Sequence, residues 1–480
     1  MAHFRIERCA RQGLLCSPPI LRPPLRRSSL PFNSRGTTSF ARLRRLRGHF
    51  DTKGMMGGGH HRNLSAPSSC IEATRNEDAQ MSDVLMIVKK ACDSLSPLVR
   101  CIYDKQSSED LSTQKADLSY FTIADGLVQE LILRYLFKTV KFKAVVAEED
   151  VAVDLQKQPF SVGQFKIPEN SEIATGIQKA CAALESYSKE LEMLDKGGTN
   201  GVLAKSTLFL DPIDGTKEFV QKKGECCTIC IGFSRDGKAD AGLVYRPIPP
   251  TTTWAAGCSR EGFFTSELAE IVDKQHDGDD DDGDCGSGTN TTTTTMKKKK
   301  PTFLTPQRVS DFLAKVIDEM EGRKISVGGC GNKALLLLEH RDHWYILDRG
   351  LSRWDTCAAQ AVLEAQGGRM TKLTSFCPTS LSAADDGDTK DDDAVVEAEN
   401  YIYEKTDVNL DWNPEVELTR YNARGEFQAE IGNRAADRHR LLPYSNVCGI
   451  VAHPRITQES WEKMVDVLKR VSAAVSPKFT

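Results

Sequence analysis

The segment Asp211-Pro212-Ile213-Asp214-Gly215-Thr216 sets two carboxylates on either side of a proline, directly after the apolar run Ser206 to Leu210. A strand running into a turn there lets both acids face one side and leaves the Ile213 carbonyl free, so three oxygens converge. Oxygen-only ligation suits a hard cation such as Mg²⁺, and clustered acids repel one another strongly without one. These are also favourite turn residues, so a β-turn with solvated acids is the competing reading. Three more acidic segments accompany it: Thr122-Ile123-Ala124-Asp125, Ala147-Glu148-Glu149-Asp150 and Trp354-Asp355-Thr356. Asp125 and Asp355 also fit as caps or first-turn acids favoured by a helix dipole.

The elements that must position these residues follow from periodicity. Val84, Ile87, Val88, Ala91, Leu95 and Leu98 recur at helical spacing, and so do Ile123, Leu127, Leu131, Ile132, Tyr135 and Leu136 after Thr122. Phe142 to Ala147 reads as a short buried strand that delivers Glu148, Glu149 and Asp150 at its end. Residues 151–205 hold one helix, Ala174 to Leu194, closed by Gly197-Gly198, and otherwise read as an insertion. Ser206 to Leu210 is a strand, and Cys226 to Phe233 pairs with Ala239 to Tyr245 across an Asp236-Gly237 turn. Further on come a helix from Val309 to Met320, a strand near Ile325, and a glycine-rich turn, Gly328-Gly329-Cys330-Gly331-Asn332-Lys333. That turn opens an apolar helix through Leu338, a combination that suggests an anion site. The strand Trp344 to Leu347 then precedes a helix from Cys357 to Ala365, stopped by Gly367-Gly368.

The four acidic segments, in this order and with Lys217-Glu218-Phe219 extending the second Asp segment, resemble the lithium-sensitive, magnesium-dependent phosphatases of the inositol monophosphatase superfamily. The resemblance covers roughly residues 80 to 460. It implies a layered αβαβα sugar-phosphatase-type fold of the α/β class, with an α+β lobe over 76–250, an α/β lobe over 251–480 and the site between them. By that resemblance Glu148, Asp211, the Ile213 carbonyl, Asp214 and Asp355 hold up to three Mg²⁺ ions. Asp125 and Thr216 orient or deprotonate the attacking water, and Gly215 and Thr216 offer backbone N–H groups to the phosphate. Glu149 and Asp150 stand outside this ligand set, as support for a ligand or as solvent-exposed acids. Lys217-Glu218 and the turn from Val327 to Lys333 are similar to the 3'(2'),5'-bisphosphate nucleotidase branch. That branch implies hydrolysis of adenosine 3',5'-bisphosphate, with 3'-phosphoadenylyl sulfate as a second substrate. Thr305, Arg308, Gly329 and Lys333 then surround the second phosphate and sugar, although the family often carries His where this chain has Arg308. Inositol polyphosphate 1-phosphatase or inositol monophosphatase is the alternative activity, and a metal- or nucleotide-binding sensor without turnover is the non-enzymatic one.

Composition excludes other classes. The chain has 480 residues, is 40% hydrophobic and 27% charged, and carries a net charge of -4. The first fifty residues hold eleven Arg, no Lys and a single acid, Glu7, which makes them +10 and leaves -14 on the other 430. No basic face for nucleic acid is therefore expected, and no apolar run reaches the ~18 residues of a membrane span. Residues 1–75, rich in Arg, Ser, Pro and Gly, read as a mitochondrial or chloroplast transit peptide, or else as a disordered basic arm on a cytoplasmic protein. Residues 277–300 and 384–393 are polar runs expected to form disordered surface loops. The 15 cysteines lack regular spacing. Cys227 and Cys230, with Cys226 beside them, read as thiols of a sheet core rather than a redox or zinc site. His340 and His343 read as turn or surface residues. No nucleophile elbow is present for a Ser-His-Asp hydrolase.

Overall fold

Periodicity and capping build the first lobe. The computed structural model describes residues 80–106, 112–114, 120–149, 151–195, 201–248, 252–268, 300–348, 351–377, 398–403, 445–446, 448–475 and 477. The basic arm, the polar stretches 277–299 and 384–393, Asp150 and Gly197-Gly198 lie outside these residues. Helix α1 (Met81–Lys105) buries the expected stripe, with Val84, Val88, Ala91 and Leu95 fully covered. Strands β1 (Ser112–Gln114) and β2 (Tyr120–Thr122) pair antiparallel and lead into α2 (Ile123–Leu131), which widens by one residue per turn over Ile132–Leu136. Next come β3 (Ala144–Ala147) and a small antiparallel sheet of β4 (Val153–Asp154), β5 (Phe160–Val162) and β6 (Phe165–Ile167). Helix α3 (Glu172–Leu194) is capped by the Ser171 hydroxyl, which accepts from Ala174 N at 3.1 Å. Its Ile177, Ala180, Leu184 and Leu191 are buried in the same core as α1, so this part of the expected insertion belongs to the core.

The main sheet of this lobe comprises β3, β7 (Thr207–Asp214), β8 (Thr228–Arg235), β9 (Lys238–Arg246), β10 (Thr253–Cys258) and β11 (Phe263–Glu267), in the order β11-β10-β9-β8-β7-β3. The short helix α4 (Thr216–Val220) follows β7. Only the β3–β7 pair is parallel. The β8–β9 hairpin turns at Asp236 and Gly237, both at positive φ (54° and 75°), as an Asp-Gly turn requires. The expected lobe boundary near residue 250 is corrected here. The chain re-enters the same sheet as β10 and β11 and leaves it after Glu267, because β9 offers β10 a free edge in register from Arg246 to Ala241.

The second sheet, ordered β13-β12-β14-β18-β16, contains β12 (Thr302–Thr305), β13 (Arg323–Ser326), β14 (His343–Leu347), β16 (Arg369–Lys372) and β18 (Ile450–His453). A minor pair is formed by β15 (Leu351–Ser352) and β17 (Ser445–Asn446). Helices α5 (Asp311–Glu319) and α8 (Gln458–Ala474) cover its outer face through Phe312, Val316, Met464 and Leu468. Between the two sheets lie α6 (Cys330–Glu339) and α7 (Arg353–Ala365). Alternation assigns the faces: on β8, Ile229, Ile231 and Phe233 join the core of α1 and α3, while Cys230 packs with Leu335, Ala358 and Val362 of the middle helices. Helix α7 comes so close that a Cβ at Gly232 or Gly242 would lie 2.6 Å from Ala358 backbone atoms. The result is the expected five-layer αβαβα arrangement. No described helix is long and apolar enough to cross a membrane.

Candidate active site

Two acids three residues apart on a regular strand point to opposite faces. Asp211 and Asp214 escape this because β7 carries a bulge. Asp211 is opposite Cys230 and Asp214 opposite Thr228, so three steps on β7 match two on β8. Pro212, which has no N–H to donate, sits in the irregular step. The strand therefore runs four residues beyond the expected end at Leu210, and both carboxylates reach one side. The parallel register Ala147↔Leu210 then sets Glu148 alongside, with Glu148 N donating to Leu210 O at 3.1 Å. Gln129 of α2 clamps the next residue: its Oε1 accepts from Glu149 N at 3.0 Å and its Nε2 donates to Glu149 O at 2.5 Å.

Asp355 arrives on the first turn of α7, where its Oδ2 accepts from Ser352 N at 2.7 Å. Asp125 occupies the same position on α2, accepting from Thr122 N at 2.8 Å and Thr122 Oγ1 at 2.5 Å. Both are thus the first-turn cap acids that the helix-start pattern allows; Asp355 also reaches Asp211 and Asp214, and Asp125 reaches Thr216 just beyond them. Oxygens of Asp211, Asp214 and Asp355 lie within 4.8 Å of one another. Burial raises the Asp211 carboxyl well above its usual range, and the charges of Glu148, Asp214 and Asp355 raise it further. Burial, Asp214 and Glu148 push Asp355 up to about 7. A cation's positive charge between Asp211 and Asp355 would relieve that repulsion. An all-oxygen, buried, mutually repelling donor set fits a hard divalent cation.

Asp214 is held differently. Its Oδ1 accepts from Cys330 N (2.9 Å), and its Oδ2 accepts from Gly331 N (2.7 Å) and Thr228 Oγ1 (2.8 Å). The glycine-rich turn therefore places the α6 N-terminus on this carboxylate. Burial still raises Asp214, while these donors and Lys333 act against it. Thr216 Oγ1 lies 3.0 Å from Ile213 O and 3.2 Å from Asp125 Oδ1, two alternative acceptors for its one hydrogen, and the second contact joins the expected water-orienting pair. Gly215, at φ 88°, makes the turn into α4.

The residues expected around a second phosphate are not gathered equally. Gly329, at φ 69°, lies so close that an added Cβ would sit 3.0 Å from Asp214 Oδ2. Lys333 is buried in the first turn of α6. It is 6% exposed, its ammonium donates to Gly329 O at 3.0 Å and stands 5.0 Å over the Tyr345 ring, and burial lowers its pKa. Thr305 is buried at the end of β12, and Arg308 is exposed in the loop that follows. Glu218 packs on Gly328, where an added Cβ would lie 2.2 Å from its carboxyl carbon. Thr228 and Gln129 have no signature in the sequence, since a threonine in a strand and a glutamine in a helix carry no local signal. Among the described cysteines all are free, and burial raises the Cys227 and Cys230 thiols, which suits core residues. His343 departs from expectation: it is 4% exposed and lies 3.2 Å from Asp342 Oδ1.

The chain belongs to the inositol monophosphatase family, whose model matches residues 80–382, more than half of its length. It is similar to 3'(2'),5'-bisphosphate nucleotidase 1 of Rattus norvegicus, 26% identical over 301 residues, covering 58% of this chain and 78% of that protein. Inositol monophosphatase 3 of Xenopus laevis is 27% identical over 176 residues, 35% of this chain and 42% of that protein. Among solved structures, extragenic suppressor protein suhB from Bartonella henselae aligns at 13% identity and TM-score 0.42, covering 81% of this chain and 99% of that one. The chain is thus a phosphatase of this superfamily, whose enzymes use divalent metal ions.

Proposed function

We propose that this member of the inositol monophosphatase family is a Mg²⁺-dependent 3'(2'),5'-bisphosphate nucleotidase. It hydrolyses adenosine 3',5'-bisphosphate to AMP and phosphate and accepts 3'-phosphoadenylyl sulfate as a second substrate. The observation that carries the reading is the contact of Glu218 with Gly328, since it joins the two segments that resemble the nucleotidase branch into one wall of the site. The longer match to a nucleotidase than to an inositol monophosphatase supports it.

Glu148, Asp211, the Ile213 carbonyl, Asp214 and Asp355 would hold the Mg²⁺ ions. When bound, these supply Lewis acidity toward the phosphate oxygens and lower the pKa of the nucleophilic water. The chain's own part is positional. Thr216 Oγ1, donating to Asp125 Oδ1, keeps its lone pair for a water hydrogen, and Asp125 is the end point for the proton that water releases. Gly215 and Thr216 offer backbone N–H groups to the phosphate at the start of α4. Thr305, Arg308, Gly329 and Lys333 form the nucleotide side. Buried Lys333 contributes field more than a direct contact, by holding positive charge next to Asp214.

The test is phosphate release measured side by side with adenosine 3',5'-bisphosphate, inositol 1,4-bisphosphate and inositol 1-phosphate, in Mg²⁺ with and without lithium. The expected kcat/KM preference for the nucleotide is roughly ten- to hundredfold. A clear preference for inositol 1,4-bisphosphate would replace this reading with inositol polyphosphate 1-phosphatase and leave the metal cluster untouched. Residues 1–75 are proposed as the organelle-targeting segment. Fusing them to a fluorescent reporter should move it out of the cytoplasm.

A further inference from the structure

Helix α6 has chemistry at both ends. Its N-terminus, through Cys330 N and Gly331 N, holds Asp214 of the acidic cluster. Its C-terminus breaks at His340, and three residues later the chain starts the central strand β14 at His343. The stretch His340-Arg341-Asp342-His343 thus turns tightly, and backbone bonds fix it: His340 N donates to Leu336 O at 3.0 Å, His343 N to His340 O at 3.4 Å, and Thr302 N of β12 to Asp342 O at 3.0 Å. The turn folds two imidazoles and a carboxylate together. The His340 and His343 rings stack with centroids 4.2 Å apart, and His343 Nδ1 lies 3.2 Å from Asp342 Oδ1. One ligand atom from each of the three lies within 4.8 Å of the others.

We propose that His340, Asp342 and His343 form a second metal site, for a divalent transition-metal ion such as Zn²⁺ or Co²⁺. Two imidazoles and one carboxylate are borderline ligands that favour these ions over Mg²⁺, which takes oxygen donors. The site is therefore chemically distinct from the Asp211 cluster, and it stands at the other end of a ten-residue helix, ~15 Å away at helical rise. Tetrahedral ligation at ~2.0–2.1 Å requires ligand atoms roughly 3.4 Å apart. Closing that gap requires the half-buried His340 ring to rotate, since His343 is buried and backbone bonds fix the turn. A cavity of about 210 Å³, lined in part by Lys300, Arg341, Asp342, Trp344 and Lys463, opens beside the turn on the Asp342 side. Arg323, bonded to Thr302, and Arg341 are cations near the turn that the ligand bonds must outweigh. A bound ion ties the end of α6 to the central strand of the second sheet.

The test uses the full chain, stripped with EDTA and returned to saturating Mg²⁺ so that the acidic cluster is occupied, then titrated with Co²⁺. The number of ions bound is read by equilibrium dialysis and their ligation by the visible spectrum. The wild type should bind one more Co²⁺ than His340→Ala or Asp342→Asn, or bind it at least tenfold more tightly, with a spectrum characteristic of nitrogen ligation. Co²⁺ should also raise the melting temperature of the wild type more than that of either variant. Asp342→Asn preserves the shape of the side chain and keeps the test decisive if His340→Ala folds poorly. Equal Co²⁺ stoichiometry, affinity and thermal shift in the wild type and both variants would overturn the site.

Discussion

Asp211 and Asp214 belong to one motif but are built for different tasks, and the difference can be tested. Asp211 is surrounded by the acids Glu148, Asp214 and Asp355, which with burial raise its carboxyl well above its usual range. Asp214 is a hydrogen-bond acceptor for two backbone N–H groups and a threonine. Asp211→Asn should be inactive, yet as stable as the wild type or more so in EDTA, because it removes repulsion and its amide can donate to Asp355. Asp214→Asn should also be inactive but destabilised by about 1–3 kcal/mol, since its NH₂ must then face a donor. Urea denaturation of both variants, with and without Mg²⁺, checks the contrast, and equal stabilities in EDTA would refute it. The pH dependence follows with a definite sign. Burial and neighbouring acids raise the folded carboxyls of Asp211 and Asp355 above their unfolded value, so the metal-free fold binds extra protons. That stabilisation is complete below about pH 4 and is lost as pH rises through about 7, where Asp355 ionises. Metal-free wild type should therefore lose stability over that window relative to Asp211→Asn, and Mg²⁺ should remove the difference.

At the scale of elements, the sequence announced which segments carry chemistry but not how they meet. Helices α1 and α2 were legible because their apolar stripes repeat at helical spacing, α3 and α7 because paired glycines follow them, and the β8–β9 hairpin because Asp-Gly specifies its turn. The bulge in β7 was not legible, since nothing in Asp-Pro-Ile-Asp distinguishes a strand's end from a strand that skips one pairing. The capping role of Asp125 and Asp355 was readable as Thr or Ser three residues ahead of each acid, and these acids also face the site. What aims α7 is the pair Gly232 and Gly242, whose missing side chains let Ala358 touch the sheet. Gly242→Ala would bring a Cβ within 2.6 Å of Ala358 O, a backbone atom that moves only with the helix. It should cost about 1–3 kcal/mol of stability by overpacking. It should also lower kcat, because Asp355 shifts with α7. A variant with normal stability but reduced kcat would show that the helix moves easily, whereas unchanged stability and kcat together would refute the close-packing argument.

At the scale of the molecule, the two lobes expected from the sequence are joined by a core that belongs to both. Val146 of β3, Phe209 of β7 and Ala239 of β9 pack in one cluster with Leu304, Leu337, Tyr345 and Ile450. Arg246 of β9 adds a polar tie. Only 8% of its side chain is exposed, and it bonds Glu339 Oε1 at 2.7 Å and Asn332 Oδ1 at 2.9 Å, holding α6 from the first sheet. Sequence patterns cannot reveal this sharing, because an apolar strand reads the same whichever layer covers it. The acids of the site come from both sides of the same seam: Glu148, Asp211 and Asp214 from the first sheet, Asp355 from α7. A chain fragment ending at residue 268, the true edge of the first sheet, would expose the inner face of that sheet and leave Arg246 without Glu339. Such a fragment, residues 80–268, should show no cooperative unfolding transition in urea, while the full chain unfolds its two sheets together. Arg246→Ala in the full chain should be destabilised by about 3–5 kcal/mol, as expected when one partner of a buried ion pair is removed. If the fragment folds cooperatively, with a stability near that of the full chain, the lobes are separate domains and the shared core contributes little to holding the site together.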